Sequence, residues 1–237
     1  MTEKLVEALF QAIDLILTLD PEVLQVTLLS LRVSLTAVLI AAGFGIPVGI
    51  LLGSREFTGK RFILTIVNTG MSFPPVVMGL LIFLLFSKSG PFGQLGILLT
   101  DTAMIIAQLL LAVPIIIGLT TSAVGVLTLE FQEAATTLGA SQRQYIYLVI
   151  RETRTGLLAA TIAAFGAAIS EIGAIQIVGG NIRYKTRTLT TAIGKEISAG
   201  RWEFAMALGI ILLTTAFLVN VIFTYFQHTR KIFIRGD

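Results

Sequence analysis

The chain has no cysteine and only one histidine, His228, in 237 residues. Disulfides and thiolate metal sites are therefore excluded, and a histidine-built metal centre lacks ligands. Charge is scarce as well: Asp, Glu, Lys and Arg make up 13% of the residues, against about 25% in a typical soluble domain. With 55% hydrophobic residues, the chain has too little polar surface to cover itself in water. No G-x-x-x-x-G-K-[ST] phosphate loop occurs, so nothing here is expected to bind and hydrolyse a nucleotide. The net charge of +3 is modest and reads as membrane topology rather than nucleic-acid binding.

What is present is a series of long apolar runs. They are long enough for helices, and no ten-residue alternation suggests a barrel. The expectation is an all-α polytopic membrane protein in one domain, residues 1–237, with five transmembrane helices at about 24–53, 62–86, 103–127, 156–178 and 204–226. Ahead of them, Val6, Leu9, Phe10, Ile13, Ile16 and Leu17 recur at helical spacing, with Glu3, Glu7 and Asp14 on the other face. This predicts an N-terminal interfacial helix rather than a signal peptide, ended by Asp20 and Pro21.

Arg55, Lys60 and Arg61 follow the first span, and Arg230, Lys231 and Arg235 follow the last. The positive-inside rule places both groups in the cytoplasm and the N-terminus outside. The segment 179–201 then lies outside although it holds Arg183, Lys185, Arg187, Lys195 and Arg201. Either the topology is inverted, or those cations have work outside. Trp202 and Tyr225 sit where interfacial rings belong at the two ends of the fifth span.

Between the third and fourth spans stands a polar stretch, LEFQEAATTLGASQRQYIYLVIRET, residues 129–153. Thr128 can cap a first short helix, with Glu130 and Glu133 near its positive end. Gly139 suits the left-handed residue that closes it. Ser141 with Gln144 forms a capping box for a second helix returning to the membrane past Tyr145 and Tyr147. Helix, sharp turn and new helix make a small knob in a cytoplasmic loop, 128–154. A plain solvated hairpin is the alternative.

EAATTLGAS, 133–141, resembles the EAA loop of the membrane subunits of ABC-type importers; Val149 fits the apolar place that follows, and Arg151-Glu152 stands where the family has Leu-Pro. SFPPVVMGLLIFLLFSKSGPFGQLG, 72–96, and ISEIGAIQIVGGNIRYKTRTLTTAI, 169–193, resemble the oxyanion branch of these permeases. They are most similar to tungstate-transport permeases, relatives of the molybdate and sulfate permeases. The resemblance implies the type I importer permease fold and a coupling role for Glu133, Ala134, Ala135 and Gly139. It implies no enzymatic activity and no cofactor on this chain, with ATP and Mg on a partner ATPase. The partners implied are a second copy of the chain, two cytosolic ATP-binding subunits and an extracytoplasmic oxyanion-binding protein, in the cell membrane of a prokaryote. Molybdate, sulfate or another small solute is the alternative cargo. A secondary transporter or channel working without ATP is the alternative class.

Arg32 and Glu171 are the ionisable residues expected within spans, where charge is costly without a partner or a wet cavity. They are expected to pair, or to flank the outer part of the path; a structural bridge is the plainer alternative. Pro74 and Pro75 break the second span, and the hydroxyls of Thr69 and Ser72 can meet a passing oxyanion. Pro114 and Gly118 can do the same in the third span, with helix packing as the alternative. Gly45, Gly49 and Gly53, and Ala160, Ala164, Gly166, Ala168 and Gly173, read as packing faces, some at a subunit interface. The cations from Arg183 to Arg201 are expected to dock a binding protein, to guide anions, or to meet phospholipid head groups.

Overall fold

Asp20 and Pro21 set where the first long helix begins. The Asp20 carboxylate accepts from the backbone N–H groups of Glu22 (3.0 Å) and Val23 (2.9 Å), and Pro21 suits a first turn that needs no donor. In the computed structural model, which describes residues 2–18, 20–127 and 129–228, this helix (α2) runs unbroken over Pro21–Ser54. Its 34 residues measure about 51 Å at about 1.5 Å per residue. It is preceded by α1, Thr2–Leu17, which leans on the last helix, α10, Trp202–His228. Leu15 joins the core of Val23, Val26, Leu208 and Ile211, while Leu9, Phe10, Ile13 and Ile16 remain exposed. No strand occurs among the described residues. Thr128 and the cations at 230, 231 and 235 lie outside them.

The glycines of α2 fix its neighbour. A Cβ on Gly45, Gly49 or Gly53 would strike Ile116, Thr120 or Val124 of α5, Asp101–Gly125, at 2.5 to 2.9 Å. The constant offset of 71 residues means that α2 and α5 run parallel in tight contact. This stripe therefore serves packing within one chain, not the subunit interface expected of some of these faces. Parallel neighbours require an odd number of crossings between them. That crossing is supplied by α3, Lys60–Met71, and α4, Pro75–Phe86.

The span expected at 62–86 is not one rod. Pro74 and Pro75 cannot donate to the carbonyls of Gly70 and Met71, and Pro74 is extended (φ −63°, ψ 122°). The axis turns by 96° between α3 and α4. Because Gly70 and Met71 pack on Pro114 and Gly118, the break lies at the middle of α5. Likewise the helix expected at 156–178 begins earlier, as α7, Gln142–Ile169, and then bends by 58° into α8, Gly173–Gly179. Past the breaks, α4 and α8 lie almost backbone to backbone. A Cβ on Gly79 would stand 2.7 Å from the Ala174 Cα, and one on Gly173 would stand 2.6 Å from Val76.

Three helices, α2, α5 and α10, are each long and apolar enough to cross a membrane, and the two bent pairs raise the count to as many as five. At one end of the bundle sits α6, Leu129–Thr137; at the other sits α9, Leu189–Ser198. These are the elbow end and the cap end below.

Candidate functional site

The elbow forms as its sequence dictates. Gly139 takes φ +72°, and Ala140 N–H reaches the Ala135 carbonyl (3.0 Å), the long bond that closes a helix over a left-handed residue. Ser141 and Gln144 then exchange their capping bonds, 2.8 Å for Ser141 N–H to Gln144 Oε1 and 3.4 Å for Gln144 N–H to Ser141 Oγ. α7 starts there and continues for 28 residues without interruption. The four motif residues divide by role. Ala135 is buried, and Phe131 and Tyr145 pack with Ile50, Val124, Val149 and Leu157. Glu133, Ala134 and Gly139 face outward. Beside the turn stands Leu138, 86% exposed. Sequence reading passed over Leu138; its signal was a large apolar residue directly before the turn glycine. A mostly apolar cleft of about 670 Å³ separates the elbow from the end of α2, lined by Ile46, Pro47, Ile50 and Tyr145 among others.

Where both bent pairs break, a second cavity of about 300 Å³ opens. Ser72, Pro74, Pro75 and Glu171 all line it, and Gln108 of α5 joins them. Thr69 does not; its hydroxyl donates to the Thr65 carbonyl (2.8 Å). Pro114 and Gly118 serve packing against α3 instead. Gln108 is 2% exposed, and its Nε2 donates to the Ala168 carbonyl (2.7 Å). Nothing in a lone glutamine within an apolar run marked it beforehand.

Arg32 is elsewhere, and it does not pair with Glu171. Its Nη2 lies 2.9 Å from Asp101 Oδ2, and its side chain is 69% exposed. The α2–α5 register explains this: Asp101 opens α5 level with residue 30, so Arg32 sits beside that helix's end instead of deep in a span. Glu171 lies in the break itself, where its Oε1 accepts from the Ala174 N–H (2.9 Å) at the start of α8.

The basic loop at the cap end closes in large part on carboxylates of the same chain. Glu22 binds two arginines: Arg183 Nη2 at 2.6 Å and Arg187 Nη1 at 2.9 Å. Arg187 is buried and also donates to Asn181 Oδ1 (3.2 Å). Arg201 pairs with Glu196. That contact holds the Glu196 carboxyl below its ordinary pKa and the Arg201 guanidinium above its own. The hydrogen bond to Glu22 raises Arg183 in the same way. The Ser30 hydroxyl accepts from Leu189 N–H (2.8 Å), fastening α9 to α2. Three of the five cations are thus tied to carboxylates. Lys185 and Lys195 are exposed and form no salt bridge among the described residues.

No group of three or more His, Cys, Asp or Glu suited to a metal occurs among the described residues. The chain is 41% identical over 208 residues to a probable anion ABC transporter permease protein of Haloferax volcanii, covering 86% of this chain and 90% of that one. It is 41% identical over 220 residues to the tungstate uptake system permease protein TupB of Peptoclostridium acidaminophilum, covering 93% and 96%. To the TupB of Campylobacter jejuni it is 36% identical over 212 residues, covering 90% and 89%. Residues 45–232 match the model of the binding-protein-dependent transport system inner membrane component. With its apolar helices and its elbow, the chain is a multi-pass membrane protein of that permease family.

Proposed function

We propose that this chain is the membrane-spanning subunit of an ATP-driven importer of an oxyanion, tungstate. The observation that carries the reading is the continuity of the elbow with α7: one rigid path leads from Gly139 to the break at 170–172. The tungstate assignment rests on two relatives named as tungstate uptake permeases, at 36% and 41% identity.

In this reading the elbow faces the cytosol, the cap faces outside, and each bent pair completes one crossing, giving five. The N-terminus is outside, the C-terminus is cytoplasmic, and α1 lies along the outer membrane surface. Two copies enclose the pore. A cytosolic ATPase grips each elbow at Glu133, Ala134 and Leu138, with Leu138 seated in an apolar groove. Ala135 and Phe131 transmit the pull because they are packed into the bundle. When ATP draws the two ATPases together, the elbows follow. Each α7 acts as a lever about 42 Å long, swinging the joined pair of α4 and α8 and switching the cavity at Ser72, Pro74, Pro75 and Glu171 between its two openings. A binding protein delivers the anion at the cap, where Lys185 and Lys195 offer unspent positive charge. No arginine or lysine lines the deep cavity, so choice among tungstate, molybdate and sulfate falls to that binding protein.

Liposomes holding the chain, its ATPase and the binding protein test the reading. Tungstate should accumulate only when all three and ATP are present. Accumulation by the chain alone would refute the ATP-coupled role. Calorimetry on the binding protein tests the cargo separately, and tighter binding of sulfate or molybdate would replace tungstate.

A further inference from the structure

The cavity at the two helix breaks offers a passing dianion no side-chain cation. Its polar side chains are Ser72, Gln108 and Glu171, and no cation stands among its lining residues. Glu171 receives one N–H, from Ala174, and forms no salt bridge among the described residues. The start of α8 offers only a partial positive charge, short of the full countercharge that a carboxylate within a bent span calls for. Gln108 supplies a second, independent sign. Its amide is oriented by the bond from Nε2 to the Ala168 carbonyl; turning it over would press two carbonyl oxygens together. Its Oε1 is left buried with no hydrogen-bond partner. The backbone contributes helix ends of both signs and one freed acceptor. α3 ends at Met71 and α7 at Ile169, whereas α4 begins at Pro75 and α8 at Gly173, so negative and positive helix ends both meet here. The carbonyl of Met71 lacks its usual helical donor because Pro75 has no N–H.

We propose that this cavity binds one alkali cation, of sodium size, held by Glu171, Gln108 Oε1, the Ser72 hydroxyl and the freed carbonyl of Met71. Hard cations take oxygen ligands, a single carboxylate suits a single charge, and unwound carbonyls at broken-helix ends are suited to sodium. The cation neutralises Glu171 beside the anion route, removing a repulsion that the dianion would otherwise meet. The role given to the ion rests on the importer reading, whereas the site itself goes beyond that reading and stands without it.

The test is equilibrium binding of 22Na+ to the full chain in nanodiscs of phosphatidylcholine, without ATPase or binding protein. Wild-type chain should show saturable binding of one ion. Glu171→Gln and Gln108→Leu should each weaken it at least about tenfold, while Asp101→Asn leaves it unchanged. Gln108→Glu adds a charged ligand and should tighten binding, a gain that misfolding cannot imitate. Absence of saturable binding to the wild type, or undiminished binding to Glu171→Gln, would overturn the proposal. Neither result depends on tungstate uptake, so the two readings fail separately.

Discussion

The two ends of the bundle are both rich in cations and use them in opposite ways. At the cap end, Arg183 and Arg187 share Glu22, Arg201 holds Glu196, and Arg32 holds Asp101. At the elbow end, Arg55, Arg61, Arg143, Arg151 and Arg154 form no salt bridge among the described residues, and Lys60 finds only the exposed Glu56. The elbow coheres through apolar contacts of Phe131, Ala135, Tyr145 and Val149, and through one glycine turn. Polar groups closed upon themselves make a fixed lid. Polar groups left open at the end that carries an exposed leucine suit the grip proposed above for a second protein.

Breaking the cap should cost most. Glu22→Ala leaves Arg187 buried without its carboxylate, a loss of about 3 kcal/mol. Hydrogen exchange should accelerate over 181–201 and not over 129–141. Leu138→Asp should do the reverse, sparing the fold and impairing transport. As a surface change it should leave stability within about 0.5 kcal/mol, yet lower ATP-driven uptake about tenfold by unseating the elbow.

Gly139→Ala comes next. Its added Cβ meets nothing within 4 Å, so only the left-handed backbone is penalised, by about 1 kcal/mol. Thermal unfolding should register that small loss, with the elbow exchanging faster.

Acid should sharpen the contrast further. The Glu196 carboxyl is held below its ordinary value of 4.5, chiefly by its hydrogen bond with Arg201. Its contribution is therefore complete above pH 4.5 and lost as pH falls through its lower folded value. Exchange near Glu196 should rise in that acid window in the wild type, and Glu196→Gln should flatten the rise. Smallest of all, Lys195→Ala should leave stability unchanged and only slow capture of the binding protein, with the difference vanishing at high salt.

The elbow was legible because it is local: Gly139, Ser141 and Gln144 complete their own bonds within a few residues. The prolines at 74 and 75 marked a break for the same reason, although the 96° turn depends on how α4 meets α8 and is written in no single window. The ion pairs of the cap were not legible because their partner is remote. Glu22 lies 161 residues from Arg183, and exposed loop cations look alike until a carboxylate closes on them. Arg32 was placed too deep because its level is set by the register of α2 on α5. Gln108 became visible only when its amide was seen to have one bond and one orphaned oxygen.

The absence of native cysteine allows the most direct test of the elbow as a handle. Ala134→Cys puts one reactive thiol on its exposed face. In oriented vesicles, a membrane-impermeant maleimide should label it from the cytosolic side alone, and bound ATPase should block the labelling. Labelling from the outside, or labelling unaffected by the ATPase, would contradict the account.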